Sequence, residues 1–406
     1  MRKIIVALIL AVLPFVAAAQ GTAASGQAAE ESRKLLTPNV VCGPYLQNVT
    51  ENSFTVMWVS DVDAVAWVEI APDNDEHFYL KERPKYYDMS GCGVKPVGRI
   101  HKVKVDGLEP GTGYRYRIMM TAVEEYYRNS TPVYGKSFGA KAYKAKLPVV
   151  RTLDKDYDKV SFAVVNDIHA QDSLLRRLFA DKEKNSQFDF VLFNGDMTSD
   201  LCHESKIPRH YLKSAAELFA DEVPLYMARG NHEWRGAEAV KLLDWFDFPD
   251  RKPYYTFKYG RFFFVVLDSA EDKVDSDIEN HGLTCIEPYL EQETAWLKEV
   301  VGSEDWKNAE RRVVFCHIPP SESEVWYGNQ NVARYFVPVL NAAGTDLMIS
   351  GHEHYYEFHK PGVAGAEFPV IINDQWQRLE VTEDSKAIKV RIYNTDGALV
   401  QSLSLD

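Results

Sequence analysis

Between residues 38 and 153 the apolar positions mostly alternate with polar ones, and the segments are short. Phe54, Val56 and Trp58 alternate with Ser53, Thr55 and Met57. Tyr114, Tyr116 and Ile118 fall on the opposite side from Arg115 and Arg117. This is the period-two signature of strands with two unlike faces. Asp106-Gly107 and Pro110-Gly111 read as turns, with Leu108 between them as a core plug. Short strands separated by turns predict an all-β sandwich over 38–153. From about residue 160 the pattern changes. Continuous apolar runs at 161–165, 188–193, 225–227, 312–316 and 347–349 alternate with segments at helical spacing, such as Leu174, Leu175, Leu178 and Phe179. Such runs fit strands buried on both faces, so residues 160–406 predict a layered α/β domain. Tyr254–Tyr259 and Phe262–Asp268 predict a hairpin turning at Gly260-Arg261, and strands return after Val370 with a turn at Asp396-Gly397. The acidic, aperiodic stretch 271–287 reads as an exposed insertion.

The first nineteen residues follow another logic. Arg2 and Lys3 precede an apolar run from Ile4 to Val16, which ends in Ala17-Ala18-Ala19. That order predicts a secretory signal peptide over 1–19, hence an exported, periplasmic or extracellular protein, with 20–37 as a flexible lead. Loss of the leader removes two positive charges from a chain whose formal net charge is already −13. So acidic a surface excludes binding to long nucleic acids, which needs a basic face. The five cysteines are an odd number for an oxidising compartment, and their spacing fits no zinc knuckle; Cys42 with Cys92 is a candidate pair.

The chemistry gathers at the ends of the buried runs. One ends in Asp167-Ile168-His169, one in Gly195-Asp196 and one in Gly230-Asn231-His232-Glu233. A fourth ends in His317-Ile318-Pro319, and a fifth in Gly351-His352-Glu353-His354. Singly, each has a plain structural explanation, since Asp and Asn cap helices and a lone His is usually a core or surface residue. Five strand ends so equipped point to one site, because carboxyl ends of strands are where open α/β sheets bind ligands. Carboxylate, amide oxygen and imidazole together suit hard or borderline divalent metals. Cys316 alternates to the opposite face and is left out. His77 and His101 read as surface residues. His203, Arg209 and His210 read as a solvated loop, and Trp326 and Tyr327 as loop packing.

Those five motifs, in that order over roughly residues 160–375, resemble the calcineurin-like metallophosphoesterases. Val313–Pro320 and Gly351–Glu357 are closest to the purple acid phosphatase branch. Gly43–Gln47 with Phe54–Trp58 resembles the N-terminal domain of that branch, and Leu108–Tyr116 resembles a fibronectin type III hairpin. The resemblance implies a β-sandwich core flanked by helices and holding two divalent or mixed-valence ions, iron, zinc or manganese. It implies Asp167, His169, Asp196 and His354 as ligands of one ion, and Asp196, Asn231, His317 and His352 as ligands of the other. Asp196 would bridge them, and His232 would meet the substrate and protonate the leaving group. Where that branch has a metal-binding tyrosine, three residues after the bridging aspartate, this chain has Ser199. Attack of a metal-bound hydroxide on a small phosphomonoester is the expected reaction. Hydrolysis of nucleotide or lipid-headgroup diesters is the alternative. The β-sandwich is a candidate for glycan or surface contact. A surface- or polymer-binding protein with an inactive phosphatase half is the alternative of another class; the complete ligand set argues against it.

Overall fold

The computed structural model describes residues 35–89, 91–125, 131–143, 146–321, 326–384 and 386–405. The expected leader, and all but the end of the expected flexible lead, lie outside them. Residues 36–406 form one compact unit.

Seven strands make the N-terminal part: β1 (Val40–Gln47), β2 (Phe54–Pro72), β3 (Lys85–Tyr87), β4 (Gly98–Val105), β5 (Gly113–Glu125), β6 (Val133–Gly139) and β7 (Val149–Arg151). All join through β2 and β5 into one hydrogen-bonded assembly. The first half of β2 lies between β1 and β4, and its second half between β3 and β5. One strand thus serves two groups of neighbours. Leu108 is buried as expected, and Tyr114, Tyr116 and Ile118 point inward. The first half of β2 departs from its pattern, for residues 54–60 are buried on both faces. The polar face is covered by the rest of the protein. Thr55 Oγ1 donates to Asp247 Oδ2 at 2.8 Å, and Lys102 on neighbouring β4 reaches Asp247 Oδ1 at 3.0 Å.

His77 is exposed, but His101 is not a surface residue. Its ring packs 5.2 Å from that of Trp58, with Nε2 2.9 Å from Ser60 Oγ, and burial pushes its pKa down to about 4. Cys42 is buried and forms no disulfide, so the pairing with Cys92 is not made.

Twelve strands build the second part. Six form one sheet: β8 (Lys159–Val165), β9 (Phe190–Asn194), β10 (Leu225–Ala228), β17 (Gln377–Asp384), β18 (Ile388–Asn394) and β19 (Leu399–Leu405), in the order β10-β9-β8-β17-β18-β19. The other holds β11 (Tyr255–Tyr259), β12 (Phe262–Leu267), β13 (Arg311–Cys316), β14 (Leu347–Ser350), β15 (Glu357–His359) and β16 (Val370–Ile372), in the order β11-β12-β13-β14-β16-β15. Strands β8, β9 and β10 are parallel, as are β12, β13, β14 and β16.

The continuous apolar runs are explained by alternation within them. Phe264 and Phe315 face the first sheet, where their rings meet Phe162 at 5.6 and 5.8 Å. Their neighbours Phe263, Val265, Val314 and Cys316 face a second core, shared with the helices Ile286–Gly302 and Tyr327–Tyr335. Both faces are therefore buried, and neither tolerates a polar residue.

The two parts are fastened by buried polar contacts. Tyr45 Oη donates to Trp245 O at 2.8 Å, Gln47 Nε2 to Leu225 O at 2.9 Å, and Tyr116 Oη to Asp221 O at 2.6 Å.

Candidate metal centre

Every expected residue lies in the turn after a parallel strand: Asp167 and His169 after β8, Asp196 after β9, Asn231 after β10, His317 after β13, His352 and His354 after β14. The backbone bends sharply there. Asp167, His169, Asp196, His352 and His354 all have positive φ, from 45° to 73°. Left-handed backbone at a non-glycine residue costs of order 1–3 kcal/mol and is held only where surrounding contacts enforce it. The enforcing contacts are visible: His169 N donates to Asp196 O at 2.9 Å, and Gly351 N to His317 O at 2.8 Å. Gly230 is needed for closeness, because a Cβ there would collide with the Asp196 carboxylate; one on Gly195 would collide with the His317 ring.

The donor atoms converge. Asp196 Oδ2 lies 3.2 Å from His317 Nε2, 3.8 Å from His232 Nε2 and 3.9 Å from His169 Nε2. Asp167 Oδ1 lies 3.3 Å from His354 Nε2 and 3.6 Å from His169 Nε2. The His169 and His354 Nε2 atoms are 3.0 Å apart. Three overlapping groups result: Asp167 with His169 and His354, His169 with Asp196 and His232, and Asp196 with His317 and His352.

The surroundings leave these atoms free for a cation. Asp167 Oδ2 accepts from His352 N at 2.8 Å and Asn166 Nδ2 at 2.6 Å, while its buried Oδ1 has no hydrogen-bond partner. His317 Nδ1 donates to Asn194 O at 2.7 Å, so Nε2 is the nitrogen offered to the site. Asn231 Oδ1 lies 3.1 Å from His352 Nδ1, 3.2 Å from His317 Nε2 and 3.3 Å from Asp196 Oδ2. Turned over, its amide would instead donate to those atoms and accept from Arg235. With the oxygen inward the amide completes a ring of acceptors, an arrangement that a cation stabilises. Carboxylate, amide and imidazole donors fit a divalent metal pair.

Charge supports the same reading. Burial opposes ionisation of Asp196, yet the facing His317 holds its carboxyl down at about 2. Burial likewise opposes charge on His317, but Asp196 and Asp167 raise it to about 10.

Two further residues organise the site and were not singled out by sequence reasoning. Glu233 is fully buried and accepts four backbone N–H groups, from Asp196, Met197, Thr198 and Gly230, at 2.8–3.1 Å. It ties the turn after β9 to the turn after β10; its place beside the Asn-His pair was the available signal. Arg235 places Nη1 3.3 Å from His232 Nε2, while its Nη2 donates to Glu271 and Asp272. The stretch 271–287 is largely exposed, as expected, at Val274, Ile278 and Leu283 among others, but Glu271 and Asn280 within it are buried. Trp326 does not pack its loop but is 62% exposed, whereas Tyr327 leans on the second core. His210 bonds Thr198 Oγ1 at 2.9 Å, and His203 and Arg209 are exposed.

Two mixed sheets thus bring aspartate, asparagine and histidine together at the carboxyl ends of their parallel strands, a donor set suited to divalent ions. Residues 160–356 match the calcineurin-like phosphoesterase family, and residues 43–134 match the purple acid phosphatase N-terminal domain. The chain thus carries a stretch similar to calcineurin-like phosphoesterases behind one similar to the purple acid phosphatase N-terminal domain. It is 25% identical over 305 residues to purple acid phosphatase 21 of Arabidopsis thaliana, covering 69% of this chain and 60% of that protein. To purple acid phosphatase 15 of the same plant it is 27% identical over 309 residues, covering 67% and 51%. The chain thus spans between half and two thirds of the length of these relatives. Purple acid phosphatase from yellow lupin seeds shares the fold, with a TM-score of 0.60 over 89% of this chain and 73% of that one, at 16% identity.

Proposed function

We propose that this chain is an exported phosphatase that hydrolyses small phosphomonoesters at a dinuclear metal centre. The observation that carries the reading is the position of Asp196 Oδ2, which faces His317 on one side and His169 on the other at 3.2 and 3.9 Å. One ion would be held by Asp167, His169, Asp196 and His354, and the other by Asp196, Asn231, His317 and His352. Two such ions, iron, zinc or manganese, would supply a hydroxide nucleophile at neutral pH and positive charge for the phosphoryl oxygens.

The chain's own residues do the rest. Glu233 and the glycines at 195 and 230 hold the ligand turns close together. His232 stands beside the centre without being needed as a ligand, with Nδ1 donating to Ser199 O at 2.7 Å and Nε2 toward Asp196. From there Nε2 can carry a proton to the departing alkoxide oxygen. The acidic leader-free surface would keep the protein soluble outside the cell, and the N-terminal sheet, read as fibronectin-like, would act as a rigid brace.

Metal analysis combined with a panel of monoesters and diesters tests this. Expected are about two equivalents of transition metal and a higher kcat/KM on monoesters, with Asp196→Ala losing both metals and activity. One tightly held ion with full activity, or a preference for diesters, would refute the proposal.

A further inference from the structure

Arg235 closes the turn after β10, and its side chain is only 11% exposed. A guanidinium carries five N–H donors in a fixed plane and stays charged inside a protein. Here it is held by three carboxylates and meets one imidazole. Nε donates to Glu271 Oε2 at 3.0 Å. Nη2 donates to Glu271 Oε1 at 2.6 Å and to Asp272 Oδ1 at 2.7 Å. Nη1 meets Glu279 Oε2 at 2.9 Å and His232 Nε2 at 3.3 Å. Three hydrogen bonds and one ion pair thus anchor the guanidinium in the acidic segment 271–279, and Nη1 also reaches the metal centre.

His232 is gripped at both nitrogens, by Ser199 O at Nδ1 and by Arg235 at Nε2. Because a carbonyl can only accept and a guanidinium can only donate, the ring shown is the neutral tautomer with its proton on Nδ1. The Arg235 contact is the longest of the five, and hydrogen bonds weaken with length. It is therefore the one that yields when substrate enters, while the other four keep the guanidinium in place.

We propose that Arg235 is a positioning residue for leaving-group protonation: anchored by Glu271, Asp272 and Glu279, it sets the His232 ring and couples segment 271–279 to the reaction. This rests on the role of His232 given above. For the protonating step Nε2 first takes a proton from water, which gives the imidazolium and releases the Arg235 contact; that proton then passes to the alkoxide oxygen as the P–O bond breaks. His232 is left neutral, and Nε2 again accepts from Arg235, which is the arrangement observed. Lysine cannot replace Arg235, since three donors on a flexible stem cannot span Glu271 and His232 in one plane.

A double-mutant cycle tests the coupling, with His232→Ala, Arg235→Lys and the pair assayed on an alkyl phosphate and a nitrophenyl phosphate, and metal content measured for each. Arg235→Lys should keep its metals, slow the alkyl ester at least about tenfold out of the ~10²–10⁴ available to acid catalysis, and slow the nitrophenyl ester much less. The pair should be no slower than His232→Ala alone, because residues acting as one unit are not additive. Glu271→Gln, which keeps an acceptor for Arg235 but removes the charge, should show the same leaving-group bias in milder form. Losses that multiply in the pair would overturn the positioning role while sparing that of His232. His232→Ala with an unchanged alkyl-to-nitrophenyl ratio would overturn both. Loss of metal in both Arg235→Lys and Glu271→Gln would make Arg235 a support for the ligand turn instead, and so refute the inference.

Discussion

His317 Nε2 and Asp196 Oδ2 lie 3.2 Å apart, both residues buried, at the ends of strands that belong to different sheets. A buried imidazole and carboxylate at that distance have two stable states. Without metal they share a proton as an ion pair; a bound cation would take the place of that proton.

The first state has a pH signature. Against the cost of burial, Asp196 and Asp167 raise His317 to about 10, far above an unfolded imidazole near 6.5. A raised folded-state pKa stabilises the fold fully below the unfolded value, and that contribution is lost as pH rises through the folded one. Metal-free protein should therefore lose stability between about pH 6.5 and 10. Metal must also displace this proton, so apparent affinity should rise about tenfold per pH unit across the same window. Metal titrations at several pH values will show the slope; a flat profile would mean that His317 is neutral without metal.

His232→Ala should keep both metals yet hydrolyse alkyl phosphates ~10²–10⁴-fold more slowly. A nitrophenyl ester, whose phenolate leaves without a proton, should be slowed far less. Equal losses on both substrates would assign His232 to charge stabilisation on the phosphoryl group, and loss of metal would assign it to ligation.

The iron-loaded protein should be colourless in the visible. Ser199 stands where the related enzymes carry a tyrosinate ligand, and it offers His232 only its backbone carbonyl. A purple or pink preparation would show that a tyrosine from elsewhere in the chain reaches the metal.

Gln47 bridges the two parts of the molecule, donating to Leu225 O at 2.9 Å and accepting from Asp247 N at 2.7 Å. Gln47→Ala leaves both groups buried without partners, at a cost of about 1–3 kcal/mol for each that stays unpaired. Thermal unfolding should fall by several degrees with kcat unchanged, since Gln47 lies remote from the metal centre. Unaltered melting would mean that water replaces the amide.

Much of this protein was decided locally. Apolar runs ending in Asp, Asn or His are local facts, and they sufficed to place Asp167, His169, Asp196, Asn231, His317, His352 and His354 in the turns where the structure has them. The hairpin at Gly260 was legible for the same reason, since turn chemistry acts over a few residues. Burial was legible only where one face of a strand decides it. His101 read as a surface residue and the first half of β2 as half-exposed because a period-two pattern contains no record of what covers the polar face. Glu233 and Arg235 were missed for a related reason. A carboxylate that accepts four backbone N–H groups from two turns, and an arginine that spends three hydrogen bonds and an ion pair on residues 271–279, take their roles from neighbours distant in sequence. Residue type and spacing determine which atoms can bind a metal or donate a proton. Which of those atoms meet, at 3 Å and shielded from water, is settled only when the two sheets pack face to face.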